Sequence, residues 1–193
     1  MEYNYYELRL NRERTAQKAL ADHINGHLGS QAVAVFSPLL GFASNQALVL
    51  TEANAASEAV MRAPGVVSAE RHPLTATIRP ASGARPQAMG VYVHNWFTID
   101  AAGFDEFVRL SGEAWPDFEG HFDTKVFGLF AAQPSKDDLM EGARRLLLMT
   151  GYRNLAEWQK SRNPAETARA AFARRRELTR VSLARACVLA PAS

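Results

Sequence analysis

The chain has 193 residues, of which 47% are hydrophobic, and its 22 Lys and Arg residues nearly balance 20 Asp and Glu residues. This length and apolar content suffice for one large domain or two small ones with a buried core. The charges are spread evenly along the chain, which disfavours a surface that neutralises nucleic-acid phosphates. The one basic run, Arg-Arg-Arg at residues 174–176, lies in a stretch with helical spacing and is interpreted as the solvated face of a helix.

The termini and the cysteine content bear on the cellular compartment. The N-terminal Met-Glu-Tyr-Asn-Tyr-Tyr lacks the basic and apolar regions of a signal peptide, and the apolar runs are shorter than the roughly 20 residues that a membrane span needs. The single cysteine, Cys187, excludes an intrachain disulfide, and its apolar strand context predicts a buried, unreactive thiol. We expect a cytoplasmic protein with neither a membrane nor a nucleic acid as partner.

The first 80 residues alternate between strand and helix patterns. Aromatic and alternating apolar segments predict strands, and apolar residues that recur every three or four positions predict helices. Asn54 is expected to cap the second helix, and Pro73 to interrupt the last strand. The predicted elements are strand 3–10, helix 14–28, strand 32–36, strand 46–51, helix 55–63 and strand 66–78. This β-α-β-β-α-β order is that of a ferredoxin-like unit.

The same order returns after a linker at residues 81–90, which is rich in Pro, Gly, Ala and Ser. Asp100 is expected to cap a helix that Pro116 breaks after Trp115, because proline cannot donate the helical hydrogen bond. Asn154 opens a later helix with a capping box, and Asn163 opens an additional one that runs to about residue 178. The other predicted elements are strand 91–98, strand 124–130, a polar loop at 133–142, strand 145–150 and strand 181–189.

This repeated order predicts an internal duplication. We expect an α+β fold with two tandem ferredoxin-like βαββαβ repeats, at residues 1–80 and 91–193, which form a pseudo-dimeric α/β barrel within one chain. Two helices cover one face of each four-stranded sheet, so the two bare faces can be buried against each other.

Several segments of the second half occur in a characteristic order. They are Tyr-Val-His-Asn-Trp-Phe-Thr-Ile at 92–99, Phe-Asp-Glu-Phe at 104–107, Ala-Trp-Pro-Asp-Phe-Glu at 114–119, Lys-Val-Phe-Gly-Leu-Phe at 125–130, Leu-Leu-Met-Thr-Gly-Tyr at 147–152 and Leu-Ala-Glu at 155–157. In order and spacing they resemble the NIPSNAP family of the dimeric α/β barrel superfamily. Tyr-Glu-Leu-Arg at 6–9 is similar to the family's opening strand, whereas Val93 and Asn95 replace the acidic and basic residues common there.

The resemblance implies a fold more than a reaction. The superfamily includes cofactor-free monooxygenases, haem-handling enzymes and small-molecule isomerases or dehydratases, and function inferred from a shared fold is analogy. NIPSNAP-type proteins offer no catalytic residues that can be transferred to this sequence, and no cofactor is predicted.

Aromatic residues are concentrated in the second half, where 13 of the 18 lie, including all three Trp. This asymmetry indicates either a pocket for a flat or apolar small molecule or simply a larger core. Within the pocket hypothesis, the candidate ligand-binding residues are Tyr92, His94, Trp96, Trp115, Glu119, His121 and Tyr152.

His94 is the candidate catalytic residue, since it lies on the same strand face as Tyr92 and Trp96. A neutral histidine beside aromatic rings can act as a general base on a phenolic or enolic substrate. The alternative is a hydrogen-bonded histidine in the barrel core. The catalytic hypothesis requires these three side chains to line one cavity that is open to solvent.

No metal site is predicted, although metal-ligating residue types occur close together at two places in the sequence. Glu119, His121 and Asp123 are close in sequence but occupy an exposed-looking turn. His23 and His27 have an i, i+4 spacing that can bind zinc, but no third ligand is evident.

Three functions therefore remain open. The leading hypothesis is a NIPSNAP-like protein of uncertain activity that binds a small, partly apolar ligand in the barrel of the second repeat, alone or as a homodimer. The alternatives are a cofactor-independent monooxygenase or related enzyme, and a structural or interaction module. An exposed apolar patch outside a solid aromatic core would favour the last.

Overall fold

The computed structural model describes residues 1–164 and 166–190, except for the side chain of Thr167. The chain is an α+β protein with eight strands and six α-helices in this described part. The strands are β1 (Glu2–Leu10), β2 (Ala32–Leu40), β3 (Gln46–Glu52), β4 (Val66–Ala76), β5 (Val91–Asp100), β6 (Thr124–Ala132), β7 (Ala143–Tyr152) and β8 (Thr179–Leu189). The helices are α1 (Ala16–Leu28), α2 (Ser57–Met61), α3 (Phe104–His121), α4 (Lys136–Met140), α5 (Leu155–Ser161) and α6 (Glu166–Glu177).

All strand pairings are antiparallel, and they close into a ring in the order β1-β3-β2-β8-β5-β7-β6-β4. Each half of the chain contributes four neighbouring strands, and the halves join through the β2–β8 and β4–β6 pairs. Replacing each strand by the one four places further along the chain reproduces the same ring. The arrangement therefore has the two-fold pattern that the repeated element order predicts.

Alternation along the strands separates an inner from an outer layer. On β1, Tyr3 and Tyr5 belong to the inner cluster, whereas Tyr6 and Leu8 pack with the helices of the first half. The inner cluster draws on both halves and also contains Phe36, Leu48, Leu50, Tyr92, Phe130, Leu147, Met149 and Cys187. A barrel of eight strands is just wide enough for such side chains to fill. The interior is consequently a packed core.

The outer layers are specific to each half. Leu20 and Ile24 of α1 are completely buried against the outer face of the first four strands. In the second half, Phe107, Trp115 and Phe118 of α3 pack on the outer face of β5, β6 and β7. None of the described helices is long and apolar enough to cross a membrane.

Two prolines do not end the elements in which they lie. Pro116 was expected to break α3, but the helix continues to His121. Buried Trp115 and Phe118 on either side of it anchor the helix to the sheet, so tertiary packing outweighs the lost hydrogen bond. Pro73 was expected to interrupt β4, which instead runs through it, paired with β1. Its other neighbour, β6, pairs with β4 only from Leu74 onward, so the proline occupies an edge position.

Predicted helix caps gave mixed results. Asn154 accepts a hydrogen bond from the Glu157 amide, which is one half of the expected capping box, whereas the Glu157 carboxylate accepts from the Asp123 amide and Lys160. Asn54 does not cap α2, whose N-cap is Ala56 without a side-chain hydrogen bond. Asp100 makes no capping bond either, because its carboxylate accepts from Arg180 Nε at 2.8 Å. The cap expected at residues 163–166 includes Ala165, which lies outside the described residues.

A capping box that the sequence did not reveal lies in the predicted polar loop. Ser135 and Asp138 form it reciprocally and start the short helix α4.

Candidate functional site

The predicted site residues on β5 point into the barrel. His94 is completely buried, and Tyr92 is 1% exposed. The Tyr5 hydroxyl lies 3.0 Å from His94 Nδ1, and Cys187 Sγ lies 3.4 Å from His94 Nε2. These contacts are satisfied if Tyr5 donates to Nδ1, Nε2–H donates to the sulfur, and the thiol donates to the Tyr92 carbonyl at 3.6 Å. His94 is therefore a hydrogen-bonded core histidine.

Burial keeps this inner network uncharged. Burial, with the nearby positive charge of Arg185, lowers the pKa of His94 to about 3. Burial likewise raises the pKa of the Cys187 thiol and that of the Tyr5 hydroxyl well above their usual values. The described residues shield His94 completely from solvent, so they form no solvent-open cavity of the kind that the catalytic hypothesis requires around it. The expected inertness of Cys187 agrees with its surroundings.

Trp96 lies where the inner core meets solvent at one end of the barrel. It lines a shallow depression of about 220 Å³, together with Glu7, His72, Arg145 and Arg185 among others. Arg185 Nη1 donates to Glu7 at 2.9 Å, and both side chains are largely buried. One charged pair at this end, Glu7 with Arg185, thus joins the two halves beside a small polar recess.

Glu119 and His121 have structural contacts. Glu119 accepts hydrogen bonds from Arg79 Nη1 at 2.7 Å and from the Val126 amide at 2.8 Å, so it joins α3 to β6 and to the segment after β4. Burial opposes ionisation of Glu119, but these bonds outweigh it and lower its pKa. The exposed His121 lies 2.8 Å from the Asp117 carbonyl through Nδ1. No cluster of three metal-ligating side chains occurs in the described part of the chain.

A cavity of about 500 Å³ lies outside the barrel, between helices α3, α5 and α6 and the outer face of the second-half strands. Trp115 and Tyr152 are the two predicted site residues that line it. The remaining lining residues are Asn95, Phe97, Phe118, Val126, Leu148, Thr150, Trp158, Ser161, Arg162, Pro164, Phe172, Arg175, Arg176, Thr179 and Ser182. The structure thus divides the predicted site among the barrel core, the surface of α3 and this cavity.

Aromatic rings form much of the cavity wall. Phe118 makes edge contacts with Tyr152 at a centroid distance of 6.4 Å and with Phe172 at 5.7 Å. Burial raises the pKa of the Tyr152 hydroxyl, an effect that the neighbouring Ser161, Thr124 and Thr150 side chains partly offset. This hydroxyl is neutral and lies beside aromatic rings, and the lining as a whole combines aromatic and polar side chains, an arrangement typical of small-molecule sites.

Arg175 is the polar residue that the sequence interpretation missed. It lies on α6, is 5% exposed, and its guanidinium carbon sits 4.6 Å from the Phe107 ring centroid, 5.4 Å from that of Phe97 and 5.5 Å from that of Phe172. Burial lowers its pKa to about 10. The expectation that residues 174–176 form a solvated face is therefore wrong for the middle arginine. Arg175 follows Ala168 by seven residues, or about two helical turns, so the two side chains lie on the same face of the helix, and Ala168 is buried. This spacing is the sequence signal for the burial of Arg175.

No family model matches the chain, and no curated protein matches its sequence. Solved structures match over nearly its whole length. An anthrone oxidase-like protein has a TM-score of 0.61 at 11% identity, covering 98% of this chain and 91% of its own. The haem-degrading enzyme of Listeria monocytogenes has 0.58 at 7%, covering 97% and 99%. A monooxygenase-like protein of Listeria innocua has 0.51 at 8%, covering 99% and 95%.

One of these neighbours degrades haem, whose iron needs a ligand from a protein side chain. No His, Cys or Met side chain is among the described lining residues, so an iron would lack its usual nitrogen or sulfur ligand. The Tyr152 hydroxyl does line the cavity, but burial raises its pKa and so disfavours the phenolate that would ligate iron. His94 is adjacent in sequence to the lining residue Asn95, but its side chain points to the opposite face of the sheet and could not ligate an iron in the cavity. Both of its ring nitrogens already have hydrogen-bond partners. The residues present do not fit haem.

At these identities the comparisons establish the fold alone. The chain has a ferredoxin-like α+β fold.

Proposed function

We propose that this protein binds a small, planar, partly apolar molecule in the cavity between the second-half helices and the outer face of the sheet. The observation that carries the proposal is the aromatic cavity of about 500 Å³ itself. Packed interiors contain few voids larger than a water molecule, whereas ligand sites span roughly 300–1,000 Å³. Buried side chains from both halves occupy the centre of the barrel around His94.

The sequence resemblance agrees with this position. The segments at 114–119 and 125–130 that resemble the NIPSNAP family lie on α3 and β6, which frame the cavity. We infer that the chain is a NIPSNAP-like member of the superfamily and that its halves, 1–80 and 91–193, arose by duplication. The two-fold pattern of the strand ring supports the duplication. The linker at 81–90 then joins two ferredoxin-like repeats.

A fluorescent probe tests the binding function. N-phenyl-1-naphthylamine is neutral, aromatic and apolar, and its emission rises in an apolar site, so we expect saturable binding at one site per chain. Leu148→Phe should weaken this binding by about 10-fold or more, because the larger ring occupies cavity volume. Val181→Phe is the matched control, since Val181 is exposed and lines none of the cavities described above.

Two results would contradict the proposal. One is the absence of saturable probe binding to the folded protein. The other is undiminished binding to Leu148→Phe when its thermal unfolding shows that the variant is folded.

Oxygenase activity is the second candidate, and the oxidase-like and monooxygenase-like neighbours favour it. The site chemistry does not supply a base, because the described lining has neither histidine nor carboxylate and His94 is sealed in the core. We therefore expect anthrone to bind without enzyme-dependent oxygen uptake in an oxygen electrode. Uptake above the buffer rate that Leu148→Phe abolishes would instead establish an oxygenase.

A further inference from the structure

We propose that the ligand of this cavity is a planar aromatic carboxylate whose anionic group contacts the Arg175 guanidinium. The inference rests on the proposed function and adds the chemical class of the ligand. It follows from the charge of the lining, the isolation of Arg175 and a second unpartnered donor in the same cavity.

The lining is positively charged without compensation. Arg162, Arg175 and Arg176 line the cavity, and none of its described lining residues is Asp or Glu. The whole chain carries nearly equal numbers of basic and acidic residues, so this local imbalance does not follow from composition. Low-dielectric walls lined by one sign of charge attract ligands of the opposite sign.

Arg175 is isolated from every acceptor that the structure describes. Its side chain makes no hydrogen bond or ion pair there, and its Nε is fully buried without a partner. The adjacent Arg174 pairs with Glu106 and Glu177, and the partly buried Arg185 pairs with Glu7. Because an unpaired buried charge is costly, the unmatched Arg175 beside an open cavity points to an anion supplied by a ligand.

The rings around Arg175 do not replace an acceptor. They contact the guanidinium through their faces and compensate part of its charge, but its N–H groups still lack acceptor oxygens. A carboxylate can accept two parallel hydrogen bonds from a guanidinium, which gives both strength and orientation.

Trp115, which also lines the cavity, carries a second unpartnered donor. Its Nε1 is buried and has no hydrogen-bond partner among the described residues. Of the side chains with such orphaned atoms, Thr51, Asp117, Arg144 and Arg185 lie outside the cavity lining, whereas Trp115 and Arg175 both belong to it. Two orphaned donors among aromatic walls suit a flat molecule that carries acceptor oxygens.

Calorimetric titration with a matched pair of ligands tests the inference. Naphthalene-2-carboxylate and naphthalene-2-carboxamide have nearly the same shape and differ in charge. We expect the carboxylate to bind the unaltered protein about 10-fold or more tightly than the amide. Arg175→Met should remove this preference and leave amide binding within about threefold, whereas Arg175→Lys should retain part of it.

Arg169→Met is the matched control on the same helix. Arg169 is exposed and does not line the cavity, so its substitution should leave the preference unchanged. Ligand-induced shifts in the thermal unfolding of the unaltered protein provide a readout that needs no variant, and the carboxylate should give the larger shift.

The possible outcomes separate the two proposals. Equal affinity for carboxylate and amide, or an undiminished preference in Arg175→Met, overturns the inference while N-phenyl-1-naphthylamine binding still supports the cavity as a ligand site. Failure of both naphthalenes and of the neutral probe overturns the proposed function as well.

Discussion

His94 and Arg175 are both buried polar residues beside aromatic rings, but their partners differ. His94 has a hydrogen-bond partner for each ring nitrogen and lies in a filled interior. Among the described residues, the Arg175 guanidinium has aromatic contacts but no hydrogen-bond partner, and Arg175 borders an open cavity. Satisfied buried groups generally serve stability, whereas an unsatisfied one next to free space is a candidate for ligand recognition.

The burial of His94 predicts a measurable dependence of stability on pH. The native pKa of about 3 lies below the ordinary value of 6.5, so the unfolded chain binds a proton that the native core excludes. The contribution to stability is complete above about pH 6.5 and is lost as the pH falls towards about 3. Between about pH 7 and pH 5 the unaltered protein should lose roughly 2 kcal/mol of unfolding free energy through this residue.

Urea unfolding of the unaltered protein and of His94→Gln checks this prediction. Glutamine retains both an acceptor for the Tyr5 hydroxyl and a donor for the Cys187 sulfur, but it does not titrate. The variant should therefore show the smaller loss of stability between the two pH values, whatever its absolute stability. Identical losses in the two proteins would mean that His94 is accessible to protons in the native state.

At the scale of elements, α3 shows what local sequence rules leave out. Pro116 removes one helical hydrogen bond, and on that basis alone the helix should end there. The residues beyond the proline are nevertheless held, because Phe118 packs against Phe122, Tyr152 and Phe172. The contacts with Tyr152 and Phe172 are distant in sequence, so the local pattern could not reveal them. The proline itself is exposed and meets no packing conflict.

The strands were more predictable than the site, because strand alternation is a local pattern whereas the site depends on contacts that are distant in sequence. Alternation on β5 correctly placed Tyr92, His94 and Trp96 on one face, but it could not show whether that face was filled. Filling depends on side chains from both halves, such as Tyr5 and Phe36, which touch His94 only in the folded barrel. The cavity depends on α6, an insertion without counterpart in the first half, so the repeat pattern gave no guide to it.

At the scale of the whole molecule, the two halves share one interior. The inner cluster combines residues from both, and the Tyr5–His94 and Glu7–Arg185 contacts cross between them. Two strand pairs, β2–β8 and β4–β6, close the ring. Neither half can retain this interior if the other unfolds, because its inward face would then be exposed to water.

This shared interior predicts a single cooperative unfolding transition. Leu20→Ala in α1 should cost about 2–5 kcal/mol, since Leu20 is completely buried in the first-half outer layer. All three Trp lie in the second half, so their emission reports that half alone. In urea titrations, the Trp emission and the far-UV circular dichroism should move together to the same lower midpoint.

The control variant is Ala19→Ser, on the exposed face of α1, which should shift the midpoints of both signals far less. An unchanged Trp midpoint beside a two-step dichroism curve would show instead that the halves unfold independently.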